Sequence, residues 1–288
     1  MLSTKYIQTI VRSALREDIG SCDITTSTII SPSAKGQAKI IAKENGVICG
    51  IDIAKTAFAM IDKNIRFIPF KKDGDRFNTK DTIAVIKGRY RTILTAERVA
   101  LNFLSLLSGI STTTRSFITE VKGTKAKIMD TRKTTPNLRE LEKYAVRVGG
   151  GCNHRKSLSD GIIVKDNHLK VIQSTHGRKL QENKIYKLIS ALRKRTKHKV
   201  EIEVENLKEF DSVIKFKPDI IMLDNFTLRS IQTAITKRNK NFPEVKLEAS
   251  GRVNLSNVRQ LAQEGVDYIS IGLLTHSPCT IDFSLEIR

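Results

Sequence analysis

Apolar residues in the first third of the chain recur at two periods, that of a helix and that of a strand. Near the N-terminus, Ile7, Val11 and Leu15 recur at helical spacing between charged residues, which predicts an amphipathic helix. Strand-like segments follow at 37–42, 47–49, 65–69 and 82–86, and helices are predicted at 53–61 and 95–107. Strands without regular intervening helices are typical of an α+β domain.

After residue 125 the pattern becomes a regular alternation of short apolar strands and helices. Strands are predicted at 126–130, 161–164, 200–204, 220–223, 245–249 and 268–271. The helices that separate most of them are predicted at 136–148, 183–197, 207–216, 228–237 and 255–264. Repeated βα units imply a parallel sheet, and this number of units in about 150 residues predicts an incomplete (β/α) barrel.

The change of pattern also predicts the domain organisation. We expect an N-terminal α+β domain at 1–112 and an α/β barrel domain at 113–276, which carries the catalytic residues. The remaining tail, 277–288, can pack on the first domain.

Chemically capable side chains follow nearly every predicted barrel strand. In chain order they are Arg132 and Lys133, Lys165, Glu203, Asp224, Ser250 and then Gly272. The carboxyl ends of barrel strands carry the active site in this architecture, so these residues are predicted to meet at one rim. Asp130, Asp166 and His168 crowd into the same strand ends. The cations of this cluster, Arg132, Lys133 and Lys165, suit a substrate with several negative charges.

Each of these residues also has a purely structural explanation. The glutamates that alternate along 201–205 share one face of a strand, and on an edge strand that face would be solvated. Asp224 and Asn225 could cap the next helix, and Lys165 and Asp166 could form a local ion pair worth under about 1 kcal/mol. Taken one at a time, the structural explanations are as good as the functional ones. Their common position at strand ends favours function.

Composition narrows the class of protein. The chain has 288 residues with 50 Lys+Arg against 30 Asp+Glu, a net charge of +20, which suits acidic metabolites, nucleic acid or a membrane surface. No Trp is present and aromatic residues make up 6%, which argues against nucleic acid binding. No apolar run of membrane-spanning length and no secretory pattern is found, so a cytoplasmic protein without membrane contact is expected. Four cysteines lie far apart without a CxxC pair and are expected to be reduced thiols.

Several stretches of the sequence resemble the quinolinate phosphoribosyltransferase family. They are ALREDIGSCDITT at 14–26, TAERVALNFLSLLSGIST at 95–112, MDTRKTTPNLRELEKYAVRVGGGCNHR at 129–155, KDNH at 165–168, VEIEVENL at 200–207, MLDNF at 222–226, LEASGRV at 247–253 and YISIGLLTHS at 268–277. The combination of TRKTTP, GGGCNHR and KDNH is specific, and the resemblance runs from about residue 11 to residue 277.

The resemblance implies a type II phosphoribosyltransferase, in which an N-terminal sandwich-like domain accompanies an incomplete α/β barrel. Members of the family join quinolinate to 5-phosphoribosyl 1-pyrophosphate in the presence of Mg²⁺. The products are nicotinate mononucleotide, pyrophosphate and CO₂, in the de novo synthesis of NAD. The resemblance also implies a homodimer.

The resemblance assigns roles to residues by their position. The quinolinate carboxylates are expected to contact Arg132, His154 and Arg155, with Arg98 contributed in trans by the partner subunit. The expected catalytic residues are Lys133 and Lys165, for the donor's phosphates, and Glu203 and Asp224, for the ribose and its Mg²⁺. The loops expected to take the 5-phosphate contain Ser250, Gly251, Arg252, Ser270, Ile271 and Gly272. Thr131 belongs to the same substrate-binding motif as Arg132.

The sequence departs from the family pattern at Asn137 and Arg252, where the family usually has Gly. Asn137 is a mild change at the start of a helix. If the backbone angle φ of Arg252 is positive, an Arg there costs about 1 kcal/mol or more. Its side chain could instead contact the phosphate or point away, so the 5-phosphate site carries the weakest assignment.

Three alternative functions remain open at this point. A related phosphoribosyltransferase acting on another acid would share the fold, but NHR with KDNH favours a pyridine dicarboxylate. A nucleic-acid-binding protein would explain the charge of +20, and a salt-sensitive gel shift would reveal it. A scaffold without activity is the third, although Lys133, Lys165, Glu203 and Asp224 are all present.

Overall fold

The computed structural model describes residues 2–176 and 182–288. Its helices are α1 (Thr4–Ile19), α2 (Ile24–Ile29), α3 (Ile51–Ile61), α4 (Tyr90–Glu120), α5 (Arg139–Val148), α6 (Asp166–His176), α7 (Glu182–Arg195), α8 (Leu207–Val213), α9 (Leu228–Asn241), α10 (Val258–Gln263) and α11 (Leu273–His276), with a 3₁₀ turn at Ile214–Phe216. Its strands are β1 (Lys35–Ala42), β2 (Gly46–Val47), β3 (Arg66–Pro69), β4 (Arg76–Phe77), β5 (Thr82–Arg89), β6 (Lys127–Met129), β7 (Ile162–Val164), β8 (Val200–Val204), β9 (Ile220–Asp224), β10 (Lys246–Ser250), β11 (Tyr268–Ser270) and β12 (Phe283–Ile287).

The chain divides into two compact units. The first unit contains Met1–Arg115, Thr135–Gly150 and Leu274–Arg288, and the barrel unit contains Ser116–Thr134 and Gly151–Leu273. The sequence-based boundary at residues 112 and 113 therefore differs from the structure over α5, which the sequence pattern assigns to the barrel domain. The reason lies in the contacts of this helix. The hydroxyl of Tyr144 donates to the Asp73 carboxylate at 2.8 Å, and the Ser111 hydroxyl donates to the Ala145 carbonyl oxygen at 2.8 Å.

The first unit is built on an antiparallel sheet of order β12-β1-β5-β3. The central strand β1 pairs with β5 on one side and β12 on the other, so that Ala38 faces Ile86 and Ile287. Ala38 and Ile40 are fully buried, as expected for alternate residues of a strand that packs against a core. The tail 277–288 thus supplies a strand to this sheet, which the sequence pattern did not reveal.

Helix α4 is much longer than the helix predicted at 95–107. The predicted helix ends where serines and threonines interrupt the apolar stripe, but three of these residues, Ser108, Ser111 and Thr114, are buried and hydrogen-bonded. The Ser108 hydroxyl accepts from the Cys49 backbone N–H at 3.0 Å, and the Thr114 hydroxyl donates to the Ile110 carbonyl at 2.8 Å. By length and composition alone α4 could cross a membrane, but 61% of its most apolar stretch is buried within the protein, as in a core helix.

The barrel unit contains a six-stranded parallel sheet of order β6-β11-β10-β9-β8-β7. Strands β6 and β7 stand at the two ends of this order, so the sheet does not close, which confirms the predicted incomplete barrel. All four cysteines are free, as the sequence predicted. The sequence pattern does not predict three of the described helices, α2, α6 and α11, and two of these, α2 and α11, have only six and four residues, too few to show an apolar stripe.

Candidate active site

The strand-borne candidate residues lie on one side of the parallel sheet, which we call the inner face. Glu203 is paired with Met222, and Met222 is paired with Glu248. Paired residues of parallel strands point to the same side, and side chains alternate along each strand. The register therefore places six polar residues on the inner face: Glu201, Glu203, Asp224, Glu248, Ser250 and Ser270.

The two glutamates of β8 are buried. Glu201 is 3% exposed and Glu203 is 9% exposed, whereas Glu205, just beyond the strand, is exposed. Because β8 lies between β7 and β9, it is no edge strand, and the solvated-face explanation is wrong for Glu201 and Glu203. A buried carboxylate is unfavourable unless it has a partner of opposite charge or a hydrogen-bond donor, so each of these glutamates needs one.

Lys165 supplies that partner for Glu203. Its ammonium group forms an ion pair with the Glu203 carboxylate, across the carboxyl ends of β7 and β8. The local ion pair that the sequence allowed between Lys165 and Asp166 is not formed, because Asp166 instead pairs with Lys170 at 2.6 Å. The backbone N–H of Lys165 donates to Nδ1 of His168 at 2.9 Å, which orders the start of α6.

Asp224 ends β9 at the same rim. It does not cap the following helix, because Thr227 is the N-cap of α9 and its hydroxyl accepts from the Ser230 N–H at 3.2 Å. The side-chain amide of Asn225 donates to the Asp224 carboxylate at 2.7 Å. Asp224 is half-buried, so this carboxylate is accessible to a ligand.

Asp130 fastens the segment containing His154 to strand β6. Its backbone N–H donates to the Cys152 carbonyl at 3.2 Å, and the Cys152 N–H donates to Ile128 at 2.8 Å. The fully buried carboxylate of Asp130 accepts from the Asn153 amide at 2.5 Å and from the His154 N–H at 2.8 Å. The TRK and NHR motifs, about 20 residues apart in the sequence, are therefore neighbours at the rim.

His154 lies against two glutamates of the inner face. Its Nε2 is 3.0 Å from a Glu201 carboxylate oxygen and 3.7 Å from one of Glu248. Its Nδ1 accepts a hydrogen bond from the Arg155 backbone N–H at 2.8 Å, so Nδ1 carries no proton and the ring proton is on Nε2. One ligand atom of each of these three residues lies within 4.8 Å of the others, a set of donors that could also hold a metal ion.

Glu248 is the most deeply buried carboxyl group of this cluster, with no exposed surface. Burial, and after it the nearby Glu201 carboxylate, raise the pKa of Glu248 to about 8. Both raising effects disfavour the charged form. Glu248 is therefore largely protonated at neutral pH, and the Glu201–Glu248 pair carries less than two negative charges.

Arg132 and Arg155 form the cationic part of the rim. Burial lowers the pKa of the Arg155 guanidinium, and the positive charge of Arg132 nearby lowers it further, while Glu201 opposes this. Nη1 of Arg155 donates to the Gly161 carbonyl at 2.9 Å, but its buried Nε has no partner among the described residues. Two like charges held together with an unused donor form a site for an anion, because guanidinium groups bind carboxylates bidentately.

Lys133 and Thr131 complete the segment after β6. The Lys133 backbone N–H donates to the Thr131 hydroxyl at 3.0 Å, which turns the chain at the rim. Lys133 is exposed there, as a residue that meets a ligand phosphate would need to be.

The loops after β10 and β11 are the expected phosphate site. Gly251 has a φ of 92°, and a Cβ built on it would lie 2.3 Å from the Asn225 side-chain oxygen, so no larger residue fits. Arg252 has a φ of 51° and an exposed side chain, which confirms the strained backbone considered from the sequence. Ile271 donates its N–H to the Met129 carbonyl at 2.9 Å, joining the loop after β11 to β6, and Gly272 follows it half-buried.

The other departure from the family pattern, Asn137, and the candidate substrate-binding residue Arg98 both belong to the first unit. Asn137 has a φ of 66°, again a conformation that Gly adopts more easily. Arg98 is exposed on α4, whereas the remaining candidate residues belong to the barrel unit.

Three residues of this site were not assigned a role from the sequence: Asp130, Glu201 and Glu248. The signal for Glu248 was available, because a lone Glu in the apolar strand KLEAS is unusual in a parallel sheet buried on both faces. The same reasoning applies to Glu201 in VEIEV.

A cationic rim above buried carboxylates, at the carboxyl end of an incomplete barrel, defines an enzyme that acts on a multiply charged anion. Residues 23–108 match the family described as quinolinate phosphoribosyl transferase, N-terminal domain, and residues 110–286 match its C-terminal domain. The chain belongs to the quinolinate phosphoribosyltransferase family.

Individual relatives agree with this assignment over the whole chain. A nicotinate-nucleotide pyrophosphorylase (carboxylating) of Mycobacterium leprae is 37% identical over 284 residues, covering 96% of this chain and 95% of that protein. A quinolinate phosphoribosyltransferase (decarboxylating) of Nicotiana tabacum is 34% identical, covering 99% of this chain and 83% of that protein.

Solved structures give the same result. The nicotinate-nucleotide pyrophosphorylase of Francisella tularensis superposes with a TM-score of 0.91 at 36% identity, covering 100% of this chain and 98% of that one. The nicotinate-nucleotide pyrophosphorylase of Ehrlichia chaffeensis superposes with a TM-score of 0.89 at 39% identity, covering 100% of this chain and 99% of that one.

Proposed function

We propose that this protein transfers the phosphoribosyl group of 5-phosphoribosyl 1-pyrophosphate to quinolinate with decarboxylation, giving nicotinate mononucleotide, pyrophosphate and CO₂. The family supports the reaction, and the observation that carries it in this chain is the Arg132–Arg155 pair. Two partly buried guanidinium groups whose charges repel each other match a dianion better than a monoanion. Quinolinate presents its two carboxylates on adjacent ring atoms.

Quinolinate binding would satisfy the donors of the rim. The buried Nε of Arg155 gains an acceptor, and the repulsion between the two guanidinium groups is relieved. Bidentate contacts also fix the plane of the pyridine ring, which aims the ring nitrogen at the anomeric carbon of the donor.

The phosphoribosyl donor would lie beside quinolinate on the same rim. Lys133 and Lys165 provide ammonium groups for its phosphates, and the loops after β10 and β11 offer backbone N–H groups and small residues to the 5-phosphate. Ser250 and Ser270 end β10 and β11 on the inner face, and the loops that follow contain Gly251, Arg252, Ile271 and Gly272.

Glu203 and Asp224 act at the ribose. Cleavage of the bond between C1 and pyrophosphate builds positive charge at C1, which a nearby carboxylate stabilises. The ring nitrogen takes the place of pyrophosphate at C1 and becomes cationic. When the 2-carboxylate leaves as CO₂, this cationic ring stabilises the electron pair left at C2 until a proton replaces the carboxylate. No covalent nucleophile is needed.

Mg²⁺ fits the donor atoms of the same two residues. Glu203 and Asp224 lie on adjacent strands and on one face of the sheet, and carboxylate oxygens are the ligands that Mg²⁺ prefers. They would hold the ion, which when bound neutralises charge on the pyrophosphate leaving group.

We further propose a cytoplasmic homodimer in which Arg98 serves the partner's active site. Arg98 is exposed on a helix of the first unit. A two-fold dimer would make the exchange reciprocal.

The decisive experiment is an assay of the purified protein with quinolinate, 5-phosphoribosyl 1-pyrophosphate and Mg²⁺. We expect nicotinate mononucleotide by mass spectrometry, and labelled CO₂ when the 2-carboxylate carries ¹³C. Nicotinate should be a poor substrate, since it leaves half of the cationic site without a partner. Equal turnover of nicotinate and quinolinate, or no turnover of either, would contradict the proposal.

A further inference from the structure

Glu142 is a buried carboxyl group outside the catalytic rim. It lies in the first turn of α5 and has no exposed surface. A carboxyl group in the interior is unfavourable unless a hydrogen-bond donor faces it. Both of its oxygens accept from the backbone N–H of Thr135, at 3.3 Å and 3.2 Å. The donor that satisfies this carboxyl group is therefore in the loop that precedes the helix.

The contact between Glu142 and Thr135 is not a helix cap. The N-cap of α5 is Leu138, and its side chain forms no capping hydrogen bond. Thr135 instead begins a type II turn, in which its carbonyl oxygen accepts from the Leu138 N–H at 3.1 Å. Pro136 is the second residue of this turn, and Asn137, with a φ of 66°, is the third. Glu142 thus holds the residue at which the loop turns into the helix.

The loop between β6 and this turn contains two of the substrate-binding candidates. At the β6 end it is fixed by Asp130, whose backbone N–H and carboxylate both form hydrogen bonds. At the other end it is fixed by Thr135 through Glu142. Arg132 is nearer in sequence to the first of these anchors, and Lys133 is nearer to the second. Loss of the second anchor should therefore displace Lys133 more than Arg132.

We propose that Glu142 is a positioning residue for Lys133, which it places for the donor's phosphates by holding the Thr135 N–H. This inference rests on the proposed function and deepens it. Glu142 itself touches no substrate, because it is fully buried on α5 and acts only through the loop.

Two substitutions of Glu142 separate its hydrogen bond from its packing. Glu142→Leu fills a similar volume but leaves the Thr135 N–H without its acceptor. We expect it to raise KM for the phosphoribosyl donor about tenfold, the usual effect of losing one hydrogen bond, and to keep KM for quinolinate within about threefold. In Glu142→Gln the amide oxygen still accepts from Thr135, so KM for the donor should return to within about twofold of wild type.

Tyr144→Phe is the matched control on the same helix. It keeps the ring and removes the hydroxyl that donates to the Asp73 carboxylate at 2.8 Å, so it loosens α5 without touching Thr135. Both KM values should stay within about twofold of wild type. A rise in KM for the donor equal to that of Glu142→Leu would mean that the packing of α5 in general, and not the contact with Thr135, places Lys133. The proposal would then be wrong.

Hydrogen–deuterium exchange measures the loop without any turnover. Peptides that contain residues 131–138 should exchange faster in Glu142→Leu than in the wild type, and at the wild-type rate in Glu142→Gln. Unchanged exchange in Glu142→Leu would overturn the proposal, as would an equal rise in both KM values, which indicates a general structural defect. If thermal melting shows that Glu142→Leu does not fold, Glu142→Met, with an unbranched apolar side chain, takes its place.

The results also distinguish failure of this inference from failure of the proposed function. A wild-type protein that does not turn over quinolinate contradicts the proposed function, and the exchange rates then still decide whether Glu142 holds the loop. An active wild type together with an unchanged KM for the donor in Glu142→Leu contradicts only this inference.

Discussion

Lys165 and Glu203 form an ion pair across the carboxyl ends of β7 and β8. The Glu203 side chain is 10% exposed, but that of Lys165 is 45% exposed, so the pair lies at the boundary between the interior of the barrel and solvent. A donor phosphate that binds the exposed lysine is thereby brought next to the carboxylate. Glu203 is then available to the positive charge that develops at the ribose.

Replacement of either carboxylate near the ribose should separate turnover from quinolinate binding. We expect Glu203→Ala and Asp224→Ala each to lower kcat by about 100-fold or more, the scale for loss of one charge-stabilising group. The dissociation constant of quinolinate, measured by calorimetry, should stay within about twofold, since we propose that the arginines bind its carboxylates.

The exposed Glu205, just beyond the same strand, provides the matched control. Glu205→Ala should keep wild-type turnover. If Glu203→Ala or Asp224→Ala retained near-normal kcat at saturating Mg²⁺, that residue would have been assigned wrongly, and Glu201 would be the next candidate.

Complementation between inactive variants tests the shared active site. Arg98→Ala and Lys133→Ala should each be nearly inactive, because each dimer lacks one group in both sites. Mixed and re-associated, about half of the dimers are heterodimers with one intact site of two, so activity should approach roughly a quarter of wild type. A tag pull-down establishes that subunits have exchanged. Proven exchange without recovery of activity would exclude Arg98 acting in trans.

A substitution can test whether Arg252 binds the 5-phosphate, although its positive φ strains the backbone. Arg252→Gly relieves about 1–2 kcal/mol of strain and adds about 0.5–1 kcal/mol of chain entropy to the unfolded state, so it should stabilise the protein slightly. It should also raise KM for the phosphoribosyl donor about three- to tenfold, because a charged contact with the 5-phosphate is lost.

Lys217 is the matched control, since its φ of 50° is nearly that of Arg252 and it too is exposed. Lys217→Gly should give a smaller gain in stability, read from urea unfolding, because it also removes the exposed ion pair of Lys217 with Glu244 at 2.9 Å. It should not change KM. An unchanged KM in Arg252→Gly would mean that the arginine points away from the phosphate.

Glu248 makes the stability of the barrel unit depend on pH in a defined direction. Its pKa is raised from an ordinary 4.5 to about 8, so the folded state favours the protonated form. This contribution is fully present below about pH 4.5 and is lost as pH rises toward and through about 8. Glu248→Gln stays neutral throughout. The difference in unfolding free energy between Glu248→Gln and wild type should therefore shift in favour of the variant between pH 5 and pH 8.5, and a constant difference would refute the assignment.

Periodicity predicted the barrel well because its strands are short apolar runs and its helices have clear apolar stripes. Positions such as Lys165 and Asp224 could be placed at the rim for the same reason, since a strand end identifies the catalytic edge whatever the packing. The sequence pattern did not predict Glu248 as a site residue, because its burial depends on which strands flank β10, and the spacing of apolar residues does not give the order of strands in the sheet.

Other features depend on contacts that are remote in sequence. Helix α5 follows the first barrel strand in the sequence, yet Tyr144 bonds to Asp73 in the first unit. His154 and Glu201 are remote in sequence, yet Nε2 of the histidine lies 3.0 Å from a Glu201 carboxylate oxygen. Local pattern contains no information about either.

The pairing of β1 with β12 has a consequence for synthesis of the chain. Ala38 is opposite Ile287, and the whole barrel unit lies between them in the sequence. During translation, one edge of β1 stays open until residues 283–287 have emerged from the ribosome. An open strand edge is a template for wrong pairing with other chains, so the nascent protein is most prone to aggregation just before translation reaches β12.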